Sequence, residues 1–249
     1  MANSLSFNGT DLSSYELIVI SRTSSEFSQE VGYTQLLDAA YPFGATRTAK
    51  PIRLRVVVTG TSYADIEDNL DSIKRVLNER DSKHLILDTQ DDRYFKAQFV
   101  SLSGQYQSPM SFAGELSFIC TDPLAYDNDE TFSPHDVDAD PKTITEATGG
   151  SGFIKPVYTL KAGEELSDVT IKVENLDTVE ELQWTGSLAD GEELEIDVAN
   201  WLVKKEGDAS MATVTGQFPR MLPNQNNRIK VTAFSTTGTL NITFRDTYL

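Results

Sequence analysis

The residues that could act as a nucleophile or a base are few, and none has the neighbours that catalysis requires. The chain has two histidines. His84 begins a short apolar run and His135 lies in an acidic stretch, and neither is near a serine in an elbow motif. The single cysteine, Cys120, lies in an apolar run with no neighbour that would lower its pKa, so we interpret it as a small buried hydrophobe. With no glycine-rich phosphate loop and no Walker lysine, the sequence supports neither nucleophilic catalysis nor a nucleotide site.

Adjacent carboxylates are numerous, which makes each pair uninformative about chemistry. A glycosidase holds two carboxylates at a defined separation in a cleft. The pairs in this chain instead fit the polar faces and turns of predicted strands; they are Glu164/Glu165, Glu180/Glu181 and Glu192/Glu193. We interpret them as surface residues, and an unrecognised hydrolase is the least favoured hypothesis.

The best candidate for a metal site is the segment DVDADP at residues 136–141, with aspartates at alternate positions, Asp136, Asp138 and Asp140. An EF-hand loop would continue with Gly at its sixth place and Glu at its twelfth. This chain has Pro141 and Ala147 at those places, so the pattern fails at both diagnostic positions. A solvated acidic segment is the preferred interpretation, a looser calcium site is the alternative, and no metal or cofactor is expected.

The two tryptophans could serve as platforms on which sugars stack. Trp184 and Trp201 both lie in the half of the chain that is predicted to be a β-sandwich, a fold that often carries such platforms. A tryptophan in a strand-rich segment is nevertheless more typical of the core. Core positions are therefore expected for both, with glycan binding as the alternative.

The charge of the chain excludes several classes of partner. Its 249 residues suffice for two domains, and 39 % of them are hydrophobic. The formal net charge is −17, and the second half, residues 126–249, carries most of it. Such an excess of carboxylates repels nucleic acid and anionic membranes. Neither a signal peptide nor an apolar run of membrane-spanning length is recognised, so we expect synthesis in a cytoplasm and no membrane partner.

The first half of the chain predicts an α+β domain. Apolar residues recur at helical spacing over residues 63–80, namely Ile66, Leu70, Ile73 and Leu77, after a plausible N-cap at Ser62. Strands are predicted around this helix at residues 52–60, 84–88, 91–104 and 112–121. The helix therefore should pack on a mostly antiparallel sheet, in a domain that spans residues 1–126.

Residues 22–50 have scattered aromatics but no sustained period, which is unusual inside a compact domain. An extended arm or hairpin that buries apolar residues against another chain would account for this composition. The residues predicted to make that contact are Tyr33, Leu36, Leu37, Tyr41 and Phe43.

The second half of the chain predicts strands alone. Residues 127–152 contain two acidic clusters, two prolines and the segment GGSG, so they are predicted to be a linker. Four alternating runs follow at 168–175, 192–198, 227–234 and 239–249, and they predict an antiparallel β-sandwich over residues 153–249.

Five motifs in order resemble the distal tail proteins of long-tailed (siphovirus-type) bacteriophages, the Dit family. They are LSFNGTDLSSY (5–15), RTAKPIRLRVVVTGTSYADIEDNLDSIKRVLN (47–78), LILDTQDDRYFKAQF (85–99), GELSFICTDPLAY (114–126) and the pair GQFPRMLPNQNNRIKVT (216–232) with ITFRDTYL (242–249). The family often has Gly where this chain has Asn224, and Asn also tolerates positive φ. The resemblance covers nearly the whole chain.

The resemblance implies a structural protein of the phage tail tip, without enzyme activity or cofactor. It implies a mainly β chain, with an N-terminal domain that forms a six-membered ring and an arm that clasps the next subunit. It implies a galectin-like C-terminal sandwich that points outwards. The expected partners are other copies of the chain, the tail tube protein, a tail-associated hub protein and receptor-binding or baseplate proteins. DNA would pass through the ring without specific binding, since an acidic wall repels it.

Overall fold

A computed structural model describes residues 4–24, 29–36, 39–47 and 49–249, and the side chains that it describes are those of residues 4–22 and 49–249. The chain divides into two compact units, Met1–Tyr126 with Leu249, and Asp127–Tyr248. Among the described residues, no helix has both the length and the apolar character needed to cross a membrane.

The first unit has ten strands, one α-helix and a short 3-10 helix at Leu12–Tyr15 among its described residues. In chain order the strands and helix are β1 (Leu5–Phe7), β2 (Thr10–Asp11), β3 (Leu17–Ser24), β4 (Gln29–Leu36), β5 (Ala39–Arg47), β6 (Lys50–Thr59), α1 (Tyr63–Leu77), β7 (Lys83–Leu87), β8 (Gln90–Ser108), β9 (Ser111–Cys120) and β10 (Ala125–Asp127).

One antiparallel sheet holds the first unit together, in the order β2-β1-β7-β8-β9-β6-β3. Strand β8 is long and pairs with two other strands. Its first part pairs with β7 and its second part pairs with β9. Pairing with β7 extends to Ala97 and pairing with β9 begins at Gln98, and the ladder with β9 shifts register between Phe99 and Ser101. Strands β4 and β5 form a separate sheet of two strands.

Helix α1 forms where its apolar spacing predicts it. Its four buried residues are Ile66, Leu70, Ile73 and Leu77, and they lie on one face because they are three or four positions apart. The Ser62 hydroxyl accepts a hydrogen bond from the Asp65 backbone N–H at 3.2 Å, as an N-cap does. The helix ends at Leu77, three residues before the predicted end.

The second unit contains only strands among its regular elements. They are β11 (Thr131–Val137), β12 (Lys142–Ala147), β13 (Val157–Lys161), β14 (Leu166–Asn175), β15 (Glu180–Leu188), β16 (Glu193–Asp197), β17 (Leu202–Lys205), β18 (Asp208–Ala209), β19 (Val214–Gly216), β20 (Asn226–Thr232), β21 (Gly238–Phe244) and β22 (Thr247–Tyr248).

Two antiparallel sheets form the sandwich of the second unit. One has the order β11-β21-β13-β16-β17-β18 and the other β12-β20-β14-β15-β19. The buried core includes alternate residues of both sheets, among them Leu160, Ile196 and Leu240 from the first and Ile171, Val231 from the second. The predicted fold class, mainly β with an α+β first unit and a C-terminal antiparallel sandwich, is confirmed.

The predicted linker is wrong, because residues 131–137 and 142–147 are strands of the sandwich. Strand β11 pairs with β21 along its whole length, and β12 pairs with β20. Val137 and Ile144 enter the core, while Asp136 of β11 is exposed and Glu146 of β12 is buried. Pro134 made the first segment look unlike a strand in the sequence. Strand β11 is an edge strand, however, and a proline is tolerated there because its missing N–H can face away from the neighbouring strand. The sandwich therefore begins before residue 153.

Candidate functional site

The segment predicted to be an arm is a β-hairpin inserted between two strands that pair with each other. Strands β3 and β6 stay paired up to Ser24 and Ile52, and the chain between them runs out through β4 and back through β5. Each of these strands is about 26–30 Å long at roughly 3.3 Å per residue. Because the root of the hairpin is fixed on both sides by the sheet, the hairpin leaves the first unit at a defined place.

Four of the five predicted contact residues lie in this hairpin. Tyr33 and Leu36 belong to β4, and Tyr41 and Phe43 belong to β5. In the register, Tyr33 is opposite Pro42 and Tyr41 is opposite Thr34. Leu37 lies outside the described residues. The role of these five residues in a subunit contact stays a prediction.

A hairpin of this kind has little stability by itself. The sheet formed by β4 and β5 has two strands, and an isolated two-stranded hairpin is at best marginally stable in water. Among the described strands, neither outer edge of this sheet has a partner, so each edge presents a row of N–H and C=O groups. The arrangement therefore suits a segment that is stabilised by another protein surface.

The edge strand beside the root of the hairpin carries exposed apolar side chains that the sequence interpretation missed. Strand β3 ends the sheet order and pairs with β6 among the described strands. Ile18 is 36 % exposed and Ile20 is 59 % exposed. Ile18 lies opposite Val57 in the register. Exposed apolar residues on an edge strand are a common feature of surfaces to which another chain adds.

Cys120 is a core residue, as its apolar surroundings predicted. Its side chain is fully buried, and burial raises the pKa of the thiol to about 11, although Lys50 and Arg22, which the sequence did not place near it, act in the opposite direction. The thiolate is the nucleophilic form of cysteine, and almost none is present at neutral pH when the pKa is so high. The thiol is therefore chemically inert in the folded chain.

The two histidines have different surroundings, and neither supports catalysis. The ring of His84 stacks on Tyr94 with centroids 3.9 Å apart. His135 lies between Ser133 and Glu146, with its Nε2 atom 3.0 Å from the serine Oγ and 2.9 Å from the glutamate Oε2. A Ser-His-acid triad uses both ring nitrogens, one for the serine and one for the carboxylate. Here Ser133 and Glu146 both contact the Nε2 atom of His135. When Nε2 carries a proton and donates it to Glu146, the same nitrogen has no lone pair with which to accept a proton from Ser133.

This polar cluster joins the two sheets of the sandwich, since His135 is on β11 and Glu146 is on β12. Spacing by two residues along a strand could have predicted that Ser133 and His135 share a face. The contact with Glu146 depends on how the two sheets stack, and the sequence alone carries no signal for it.

In the acidic segment at residues 136–141, Asp138 and Asp140 form contacts that stabilise the fold. Asp138 forms an ion pair with Lys142 at 2.5 Å, and Asp140 accepts a hydrogen bond from the backbone N–H of Ala233 at 2.7 Å. No group of three or more metal-ligating side chains is found in the part of the chain that the structure describes. Of the adjacent glutamates, Glu180 binds Arg220 and Glu192 binds Lys205. The carboxylates thus act as ion-pair partners of strands and turns.

The two tryptophans differ sharply in exposure. Trp184 is buried at 2 % exposure, and its indole N–H donates to the Ser210 hydroxyl at 2.9 Å. Trp201 is 62 % exposed, with its ring centroid 5.5 Å from that of Phe218, so the expectation of a core position was wrong for this residue. Its φ is +54°, which is uncommon for a bulky side chain. Trp201 lies in the turn between β16 and β17, after the alternating pattern that predicts β16 has ended.

Neither a comparison with protein families nor one with curated protein sequences gives a match. A comparison with solved structures does. The chain is similar to the crystal structure of the SPP1 Dit (gp 19.1) protein, a paradigm of the hub adsorption apparatus in phages that infect Gram-positive bacteria. The TM-score is 0.81 at 14 % sequence identity, and the alignment covers 100 % of both chains.

The chain has the fold of a Dit protein. A second similar structure is a chain of the phage p2 baseplate in its activated conformation with strontium, with a TM-score of 0.50, 10 % identity and 97 % of both chains covered. Because the match to SPP1 Dit spans both chains completely, the Dit fold accounts for the arm-bearing first unit and for the sandwich together.

Proposed function

We propose that this chain is a structural hub protein of a phage or prophage tail tip. The observation that carries the proposal is the similarity to SPP1 Dit over the full length of both chains. In this function six copies form a ring that joins the tail tube to the baseplate or receptor-binding apparatus. The protein acts by assembly and not by chemistry.

The arm and the β3 edge support assembly through the first unit. A two-stranded hairpin that leaves the sheet at a fixed root gains stability when a neighbouring subunit covers it. The exposed Ile18 and Ile20 lie on the edge strand that leads into this hairpin. A head-to-tail contact that used these features would be heterologous, and such contacts close into rings when the rotation permits.

The charge of the chain supports a role around a DNA conduit. With 38 acidic and 21 basic residues, the formal net charge is −17. A ring with this balance holds few phosphate contacts, so DNA would pass through it without being retained. The partners in this proposal are the tail tube protein, a tail-associated hub protein and receptor-binding or baseplate proteins, in a virion made in the host cytoplasm.

The decisive test is the mass of the purified protein in solution, measured by light scattering after gel filtration. Six copies of the 27.6 kDa chain give roughly 166 kDa. That mass, or a multiple of it, is the expected result, alone or after mixing with the tail tube protein. A chain that stays monomeric in both conditions contradicts the proposal.

The arm is tested separately by replacing residues 25–49 with Asn-Gly. In this variant Asn-Gly, Lys50 and Pro51 form a four-residue loop between the paired residues Ser24 and Ile52, so both units should remain folded by circular dichroism. We expect the variant to be monomeric under conditions in which the natural chain forms rings. Rings that persist after the replacement would show that the arm does not drive assembly.

A carbohydrate-binding function for the sandwich is the second candidate, and the exposure of Trp201 favours it. A large aromatic face in water, held at a positive φ, costs stability without filling the core. Stacking on a sugar ring would make use of it. The test compares Trp201→Ala with Phe132→Ala, since Phe132 is also 62 % exposed. Binding to N-acetylglucosamine oligomers or purified peptidoglycan that only the first change abolishes would support glycan recognition, and no binding by the natural chain would exclude these ligands.

A further inference from the structure

Two cationic side chains converge on one aromatic ring at the root of the arm. Arg22 is on β3, just before the hairpin, and Lys50 begins β6, just after it. The Arg22 guanidinium carbon is 5.4 Å from the centre of the Phe95 ring, and the Lys50 ammonium is 5.0 Å from it. Within the described residues, neither cation has a carboxylate at ion-pair distance.

The two cations are held in an unfavourable environment. Burial lowers the pKa of Arg22, and burial together with the nearby Arg22 charge lowers the pKa of Lys50. Arg22 donates one hydrogen bond, from Nη1 to the Gln90 side-chain oxygen at 2.9 Å. Its Nε atom is buried without any hydrogen-bond partner in the described part of the chain. A buried charged donor without an acceptor is costly, and one anion would remove most of that cost.

A cavity of about 90 Å³ adjoins Arg22. Its wall includes the hydroxyl-bearing residues Ser4 and Thr89 and the apolar residues Leu54 and Leu87. The exposed Asp88 also contributes to the wall, whereas Lys50 does not line the cavity. The volume is well below the roughly 300 Å³ of a typical ligand pocket. It suits a group of a few atoms with oxygen acceptors.

We propose that Arg22 and Lys50 form a binding site for a single carboxylate group, contributed by a side chain of a neighbouring copy of this chain. The Nε–H of Arg22 donates to one carboxylate oxygen, and Lys50 supplies the second positive charge. We attribute the carboxylate to another copy of the chain for two reasons. The chain carries 38 acidic residues, and the site lies at the root of the arm that is proposed to contact a neighbouring subunit. This inference rests on the proposed ring assembly, because the carboxylate comes from another subunit.

The first test detects the site without assembly. The full-length chain is heated at pH 7.5 in sodium acetate or in sodium chloride of equal ionic strength. We expect acetate to raise Tm by roughly 4–8 °C at a concentration ten times its Kd. Arg22→Lys keeps the charge but removes the Nε–H, and it should abolish the difference between the two salts. Lys50→Met should reduce it, whereas Arg53→Met, an exposed arginine on the same strand β6, should leave it unchanged.

Equal Tm values in acetate and chloride for the natural chain would overturn the site itself. A shift that persists in both Arg22→Lys and Lys50→Met would place acetate elsewhere, with the same consequence. Since each variant is compared with itself in two salts, a general loss of stability does not imitate the result.

The second test identifies the source of the carboxylate. The concentration at which rings form is measured by light scattering for the natural chain and for the same three variants. We expect Arg22→Lys and Lys50→Met to raise it at least tenfold and Arg53→Met to leave it unchanged. Unchanged assembly in Arg22→Lys, together with a lost acetate effect, would assign the site to a free small carboxylate and overturn the subunit contact. A natural chain that never assembles refutes the proposed function, while the acetate measurement still decides whether the site exists.

Discussion

Replacement of Glu180 by Gln should destabilise the sandwich, because Glu180 holds a turn-forming segment through several hydrogen bonds. The carboxylate accepts the Arg220 backbone N–H at 2.8 Å and the Nε–H of the same residue at 2.9 Å, and Arg220 Nη2 is a third donor. The Glu180 side chain is 10 % exposed and that of Arg220 is 40 % exposed. The substitution keeps the shape of the side chain, removes its charge and replaces one of the two acceptor oxygens by an NH2 donor.

The expected magnitude is about 2 kcal/mol in the free energy of unfolding. Removing one partner of a fully buried ion pair costs roughly 3–5 kcal/mol. The cost is smaller here because water reaches part of Arg220, and because the glutamine oxygen still accepts one hydrogen bond. For a unit of this size the change corresponds to a decrease in Tm of roughly 6–12 °C.

The dependence of this effect on pH tests its electrostatic origin. Burial raises the pKa of the Glu180 carboxyl, but the hydrogen bonds from Arg220 outweigh burial and leave the pKa below its ordinary value of 4.5. A lowered pKa means that the ionised carboxylate stabilises the folded state above pH 4.5, and that this contribution is lost as pH falls through the folded-state pKa. The difference between the natural chain and Glu180→Gln should therefore be largest near pH 7 and should shrink below pH 4.5.

Urea unfolding followed by tryptophan fluorescence at pH 7 and pH 3.5 provides the assay. The matched control is Glu181→Gln, the next residue, whose side chain is 35 % exposed and lies 3.7 Å from Lys172. A surface ion pair of this kind contributes about 0.2–1 kcal/mol. Equal stabilities of the two variants at pH 7, or a Glu180→Gln deficit that does not change with pH, would refute the reasoning.

Three further predictions concern individual side chains. Cys120 should resist a thiol reagent at pH 8 in the folded chain and react fully in urea, since its thiol is buried with a pKa of about 11; rapid labelling without urea would contradict its core position. Ser62→Ala should cost about 1 kcal/mol in urea unfolding through loss of the helix N-cap, whereas Ser82→Ala, at an exposed serine, should cost much less, and equal effects would argue against the cap. Trp184→Ala should cost roughly 3–5 kcal/mol and Trp201→Ala less than about 0.5 kcal/mol, because only the first is buried; similar losses would show that exposure does not decide their roles.

Several features of the chain were predictable from local pattern alone. Helix α1 follows from four apolar residues at helical spacing and a serine at the N-cap, because both signals act within one or two turns. The alternation in β14 and β16 likewise predicts strands, since every second residue must enter the core. The burial of Cys120 follows from its apolar neighbours.

Other features depend on contacts between distant parts of the chain, and the sequence does not encode them in a local pattern. Strand β11 carries Pro134 and Asp136, and only its place at the edge of a sheet makes a proline acceptable there. The exposure of Trp201 depends on the turn between β16 and β17.

The two cations at the root of the arm are a further case. Arg22 and Lys50 are far apart in sequence, and the pairing of β3 with β6 brings them to the same aromatic ring. Periodicity and composition thus determined which segments form strands and the helix. The tertiary structure alone decided which polar and charged groups lose water together, because desolvation depends on the neighbours that folding supplies.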